Sequence, residues 1–180
     1  SLFNLMKKNN VLAIPLVDKK NKYVGLSHIS EISKNKTEHN KINISSAVIM
    51  AGGLGMRLRP ITDDIPKPMV DIGGMPLLER QIKKLGDFGI RKIYLAVNYL
   101  SQVIEDYFKD GSKYGVEIIY LKEKESLGTG GALSLLPDRI EEPFLVMNGD
   151  VLTNSNIQSL AEFHFLQAND ITIAGFSYNI

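Results

Sequence analysis

The sequence predicts an α/β fold of three layers, α/β/α, with a mostly parallel sheet. Two observations carry this: short apolar runs recur along the chain from Ile44, and stretches with one apolar helical face separate them. The runs are Ile44 to Met50, Lys92 to Asn98, Val116 to Leu121 and Phe144 to Met147. Each reads as a buried parallel strand, the kind that helices cover on both faces. Between the first two runs, Leu77, Leu78, Ile82 and Leu85 fall on one helical face. Between the second and third, Val103, Ile104, Tyr107 and Phe108 do the same, with Ser101 as the expected N-cap and Gly111 placed to end the helix. A further helix is expected over Ser155 to Ala168, followed by a strand from Ile171.

Composition narrows the class. With 180 residues, 44% of them hydrophobic, the chain can bury one core and an appendage, and its charge content is ordinary for a globular protein. No apolar run approaches the roughly 18 to 20 residues that span a bilayer, and the first residues lack the order of a secretory signal, so a cytoplasmic protein without a membrane partner is expected. There are no cysteines, which excludes disulfides, thiolate metal sites and a cysteine nucleophile. Any metal must therefore be held by oxygen or histidine, and His28, His39 and His164 show no metal-ligand spacing.

Charge is uneven. Residues 1–44 hold eight lysines against three acids, while the remainder holds thirteen basic against seventeen acidic residues. Those lysines are scattered among apolar residues and lack interleaved aromatics, which favours a solvated surface over nucleic-acid binding. The stretch Glu31 to Asn43 is polar and without periodicity. The expected organisation is a small unit over 1–32, a linker over 33–43 and the α/β domain over 44–180. The small unit reads as a helical start ending near Asn9, then strands over Val11 to Val17 and Tyr23 to Leu26 around the turn Asp18 to Lys22. About thirty such residues cannot form a core of their own.

The chemically informative segment is Ala51-Gly52-Gly53-Leu54-Gly55-Met56-Arg57-Leu58-Arg59-Pro60-Ile61-Thr62, which follows the first strand of the α/β domain. Glycines at a strand end let backbone N–H groups approach an anion without interference from Cβ atoms. Arg57 follows the last glycine, and Pro66-Lys67-Pro68-Met69 offers a second cation from a proline-stiffened segment. Two cations and a glycine loop suit a triphosphate. Other phosphate loops fail on spacing: the third glycine of the dinucleotide fingerprint is replaced by Leu58, and no Gly-Lys-Ser/Thr follows. Prolines 60, 66 and 68 forbid an immediate long helix.

These residues resemble the sugar nucleotidyltransferase family, whose signature is Gly-x-Gly-x-Arg-Leu-x-Pro-x-Thr, then Pro-Lys-Pro-Met and Pro-Leu-Leu-Glu. The chain shows them in order as Gly53 to Thr62, Pro66 to Met69 and Pro76 to Glu79. Leu127 to Leu133 is similar to the family's base-proximal loop, and Phe144 to Asp150 to its metal-binding strand end. The resemblance implies a Rossmann-like fold of the nucleotide-diphospho-sugar transferase type. It also implies the reaction: a sugar 1-phosphate attacks the α-phosphorus of a nucleoside triphosphate, pyrophosphate leaves, and Mg²⁺ assists. Positioning and charge neutralisation carry such a step, so no nucleophilic side chain is needed.

On the same resemblance, Arg57 and Lys67 are the catalytic cations, Arg57 on the triphosphate and Lys67 between the α-phosphate and the incoming sugar phosphate. Ala51, Gly52, Gly53, Gly55 and Met56 supply loop backbone to the nucleotide. Gly128 and Thr129 approach the base or ribose, and the amides of Asn98 and Gln102 are able to read a base edge or to serve as caps. Asn148 orients the sugar or its phosphate, and Asp150 holds the metal. The segments Leu95 to Gln102 and Leu127 to Leu133 look most like mannose-1-phosphate guanylyltransferases, which makes GTP the first expectation and leaves cytidine or thymidine triphosphate open. A non-catalytic nucleotide-sensing subunit is the alternative of another class, disfavoured because Arg57, Lys67 and Asp150 are all retained.

Ser1 to Ile32 resembles the end of a cystathionine-β-synthase (CBS) motif, with His28 and Glu31 where the motif has Thr and Asp. Paired modules of that kind make a homo-oligomer plausible. The sequence ends at Ile180 inside a predicted strand, so a fragment of a longer enzyme, weak or inactive by itself, is expected.

Overall fold

The computed structural model describes residues 6, 8–28, 44–123, 127–128, 130–137, 140–153 and 155–175. The expected linker, 33–43, lies outside them. Two compact units emerge: residues 43–158 form one, and 1–42 together with 159–180 form the other.

In the smaller unit, β1 (Ala13–Val17) pairs antiparallel with β2 (Tyr23–His28). The expected turn is present, and Asp18 makes it: its Oδ1 accepts from the Lys20 and Lys22 N–H groups at 2.7 and 2.9 Å. A chain turn at Asn9 and Asn10, where Asn10 has φ 56°, precedes the hairpin.

The larger unit is built on four parallel strands in the order β5-β4-β3-β6: β3 (Ser46–Met50), β4 (Lys92–Val97), β5 (Glu117–Lys122) and β6 (Leu145–Asn148). Ala47 registers with Ile93 on one side and Leu145 on the other, and Ile93 with Ile118. Two helices, α1 (Leu77–Phe88) and α2 (Ser101–Phe108), make the crossovers from β3 to β4 to β5. Their Leu78, Ile82, Leu85, Ile104 and Phe108 pack with Ala47, Ile49, Ile93, Leu95 and Val97 of the strands, all nearly or fully buried. Each fully buried Leu or Ile contributes about 1.5–3 kcal/mol. The alternate strand residues Val48, Tyr94, Ala96 and Leu121 face a second cluster closed by Ala132, Leu133 and Leu135 of a 3-10 helix, Gly131–Leu135. The crossover from β5 returns to the far side of β3, and keeping the usual hand while reversing direction requires this change of face.

Three expectations are corrected. Ser101 is the first residue of α2 and not its cap: Leu100, at φ 51°, caps without a side-chain bond, because the turn after β4 already directs the Ser101 N–H to the Asn98 carbonyl at 3.3 Å. Nor does Gly111 end α2, which stops at Phe108 with Lys109 as its cap. Gly111 instead lies so close to β5 that a Cβ would meet Ile118 Cγ1 at 2.7 Å and the Val116 carbonyl at 2.8 Å. Over the described residues 171–175 the strand expected from Ile171 is not formed. They are irregular, with Ile171 79% and Ile173 86% exposed, and a β-branched alternation makes a strand only where a neighbour pairs its backbone. Residues 176–180 of that expected strand lie outside the described residues. The expected last helix is present as α3 (Ile157–Gln167), and near its end His164 Nδ1 lies 3.0 Å from Thr172 Oγ1.

Candidate functional site

The glycine segment is shaped by close approach. The Ala51 N–H donates to the Ala96 carbonyl at 2.8 Å, which keeps the chain along the sheet for one residue beyond β3. A Cβ on Gly52 would then lie 3.2 Å from both Asn98 Cβ and Glu123 Oε1, so the ends of β4 and β5 leave little room for a side chain. Gly55 is in the left-handed region at φ 64°, and its carbonyl accepts from the Leu58 N–H at 2.9 Å and from the hydroxyl of fully buried Thr62 at 2.8 Å. The loop is thereby closed on itself, with the short 3-10 turn Met56–Leu58 at its exposed tip. Arg57, on that tip, makes no ion pair among the described residues.

Pro66 and Pro68 hold the backbone on either side of Lys67, which opens a second 3-10 turn, Lys67–Met69, with Pro68 and Met69 buried. On the neighbouring strand end, the Gly149 N–H donates to the Met50 carbonyl at 2.8 Å, and a Cβ at Gly149 would meet that oxygen at 3.0 Å. A side chain at 149 would crowd the end of β3, and the next residue is Asp150. Lys67 Nζ and Asp150 Oδ2 meet at 2.5 Å, with both side chains about one-third exposed.

The result is a cleft of about 270 Å³ at the carboxyl ends of β3 and β6. This is where the strand order reverses, the usual ligand side of an open parallel sheet. Of the residues singled out from sequence, Ala51, Gly52, Gly53, Lys67, Gly128, Asn148 and Asp150 line the cleft. Gly55, Met56 and Arg57 lie on the loop beyond and do not line it. Asn98 stands behind Gly52. Gln102 donates its amide to Asp106 Oδ1 at 2.8 Å, one turn along α2, and takes no part in the lining. Thr129 lies outside the described residues.

Glu123 also lines the cleft, and sequence reasoning missed it. Its N–H continues the sheet by donating to the Val97 carbonyl at 3.0 Å, and its Oε2 accepts from the Leu127 N–H at 3.2 Å. The available signal was an acid directly after an apolar strand, four residues ahead of the Leu127-Gly128 motif. The cleft thus has a cation and a carboxylate at one end, Lys67 and Asp150, backbone glycines along its floor and a second carboxylate on the β5 side. Asp150 does not belong to any group of three or more His, Cys, Asp or Glu side chains among the described residues. A divalent ion there would need oxygens from a ligand, as suits Mg²⁺, which takes one or two carboxylates and completes its shell with phosphates and water.

The fold and the cleft define an open parallel α/β protein with its cleft at the switch point of the sheet, and comparison with known families places it further. The chain belongs to the nucleotidyl transferase family, whose model matches residues 46–180, as the sequence motifs led one to expect. It is 37% identical over 128 residues to the mannose-1-phosphate guanylyltransferase of Mycobacterium tuberculosis, covering 71% of this chain and 36% of that protein. It is 42% identical over 121 residues to the mannose-1-phosphate guanyltransferase of Saccharomyces cerevisiae, covering 65% of this chain and 34% of that protein. Among solved structures, HddC from Yersinia pseudotuberculosis, also known complexed with GMP-PN, is 38% identical with a TM-score of 0.59, over 67% of this chain and 54% of that one. The chain therefore spans about a third of the length of these curated relatives and about half of the crystallised one. Among the described residues no helix is long and apolar enough to cross a membrane.

Proposed function

We propose that this chain carries the nucleotide site of a sugar-1-phosphate nucleotidyltransferase, which joins a nucleoside triphosphate, GTP first, to a sugar 1-phosphate. A phosphate oxygen of the sugar phosphate bonds to the α-phosphorus, the bond from that phosphorus to the bridging oxygen of the β-phosphate breaks, and pyrophosphate departs. The single observation that carries this reading is the meeting of Lys67 and Asp150, 83 residues apart in sequence, beside the glycine segment. No packing need explains an ion pair about one-third exposed at that place, and a pair of this kind near the surface contributes little stability.

Lys67 is the compact cation that shields the two phosphates from each other as they approach, and Asp150 is the metal carboxylate. A bound Mg²⁺ would supply charge neutralisation on the phosphate oxygens. Gly52 and Gly53 line the cleft as bare backbone over which the triphosphate lies. Arg57, with no ion pair among the described residues, is available to the departing pyrophosphate. An ionised Glu123 would repel phosphate, so the base end of the nucleotide belongs on its side of the cleft. A carboxylate only accepts hydrogen bonds, and guanine offers two adjacent donors, its ring N–H and its amino group, whereas uracil and thymine offer one donor between two carbonyls. This supports GTP, as do the similarity to mannose-1-phosphate guanylyltransferases and the GMP-PN complex of HddC. The hairpin β1–β2 is read as the end of a CBS motif, with a cytoplasmic homo-oligomer as the parent protein.

Calorimetric binding of GTP, CTP, dTTP, UTP and ATP to the chain, with and without Mg²⁺, tests the reading. GTP is expected to bind selectively, Mg²⁺ to strengthen it and Arg57→Ala to weaken it. Binding of CTP or dTTP in preference would move the base assignment, and binding of none would overturn the nucleotide site.

A further inference from the structure

The turn that carries Asp150 is held from behind by α1. Gln81 is 5% exposed, and its Nε2 donates to the Asn148 carbonyl at 3.0 Å and to the Val151 carbonyl at 2.6 Å. These carbonyls lie on either side of Asp150 in the chain. Both amide hydrogens are thereby used, and Oε1 is left buried without a partner among the described residues. Packing alone would favour Leu or Met at this place, because neither leaves a lone buried acceptor. Lys84, one turn further along α1, extends the hold by donating to the Thr153 carbonyl at 2.7 Å and the Ser155 carbonyl at 3.3 Å. From the front, the Gly149 N–H is bound to the Met50 carbonyl at 2.8 Å. The turn is clamped between α1 and β3, and its only charged side chain over residues 148–151 is Asp150.

We infer that Gln81 is a positioning residue: through the backbone of residues 148–151 it presets the Asp150 carboxylate for a divalent cation, touching neither the cation nor the nucleotide itself. This rests on the reading of Asp150 given above. Groups that orient a metal ligand typically change metal affinity about 10- to 100-fold when lost. Nucleotide affinity in the absence of metal has no such dependence, because Gln81 does not line the cleft.

Two variants of the whole chain test the inference, Gln81→Glu, which keeps the volume and, ionised, lacks the donors, and Gln81→Leu, which lacks both donor and acceptor. Circular dichroism establishes that they fold, and failure of both to fold would mark Gln81 as structural and overturn the inference. In ligand-free protein, amide exchange over residues 148–153 is expected to quicken about tenfold or more while α1 and β4 keep their rates; unchanged exchange there overturns the clamp whatever the ligand. With GTP present, Mn²⁺ binding followed by electron paramagnetic resonance is expected to weaken about tenfold or more in both variants, with metal-free GTP affinity within about twofold of wild type. Equal Mn²⁺ affinity in wild type and variants overturns the positioning role. Wild-type protein that takes up GTP but no Mn²⁺ overturns the metal reading of Asp150 and the inference with it, whereas loss of GTP binding in wild type sinks the proposed function directly.

Discussion

At the scale of single residues, the site depends on glycines that do different work. Gly55 needs a left-handed backbone and has Thr62 Cβ 3.0 Å from where its own Cβ would be, whereas Gly53 has open space around it and no positive φ. Gly55→Ala is therefore expected to lose about 1–2 kcal/mol from the left-handed conformation alone, with a further loss from the contact, as read by urea unfolding. Gly53→Ala should leave folding stability within about 0.5 kcal/mol. A Gly55→Ala protein as stable as wild type would mean that the closed Gly55–Thr62 loop is not what shapes the segment. The role of Gly52 differs again, since its constraint comes from Asn98 and Glu123, just past the ends of two other strands, and not from its own dihedral angles.

At the scale of elements, α1 does more than cover the sheet. One face buries Leu78, Ile82 and Leu85, another holds the Asp150 turn through Gln81 and Lys84, and Glu79 ties it to α2. The Tyr107 hydroxyl donates to Glu79 Oε2 at 2.5 Å, and Lys83 Nζ lies 2.6 Å from Glu79 Oε1. Burial opposes charge on Glu79, but the hydrogen bonds from Lys83 and Tyr107 and the positive charge of Lys83 outweigh it and hold the carboxyl below its ordinary 4.5. The bond to Glu79, with burial, pushes the Tyr107 hydroxyl up to about 12. A carboxyl with a depressed pKa in the folded protein stabilises it above the unfolded pKa, and that contribution disappears as the pH falls through the folded value. Wild type should accordingly melt higher than Glu79→Gln at neutral pH, with the gap closing as the pH falls through the lowered folded-state value of Glu79. A gap that does not narrow with falling pH would assign the effect to packing.

For the molecule as a whole, the ligand site lies within the unit 43–158, and every residue lining the cleft comes from it. Saturating GTP with Mg²⁺ is expected to slow amide exchange at 50–53, 67, 123, 127–128 and 148–150 and to leave the hairpin 13–28 unchanged. At a ligand concentration of 100 Kd, the stabilisation of the binding unit is about 2.7 kcal/mol. Slowed exchange in the hairpin alone would place the nucleotide in the wrong unit.

The sequence by itself determined the parallel strands, the helices between them and the motifs of the family, because these reside in local pattern: continuous apolar runs, helical spacing and glycine and proline at fixed offsets. It determined which residues could carry phosphate chemistry. Tertiary structure decided which of them share a cleft. Arg57 and Lys67 look equivalent in sequence, yet only Lys67 lines the cleft and meets Asp150. Gln102, open in sequence to base reading or capping, has its amide on Asp106 and lies off the cleft lining, while Glu123 and Gln81 read as ordinary surface and helix residues until the sheet brings them to the site. Among the described residues, the isoleucines at 171 and 173 have the strand pattern but no strand, because a ladder is made by its neighbour and a linear pattern does not contain one.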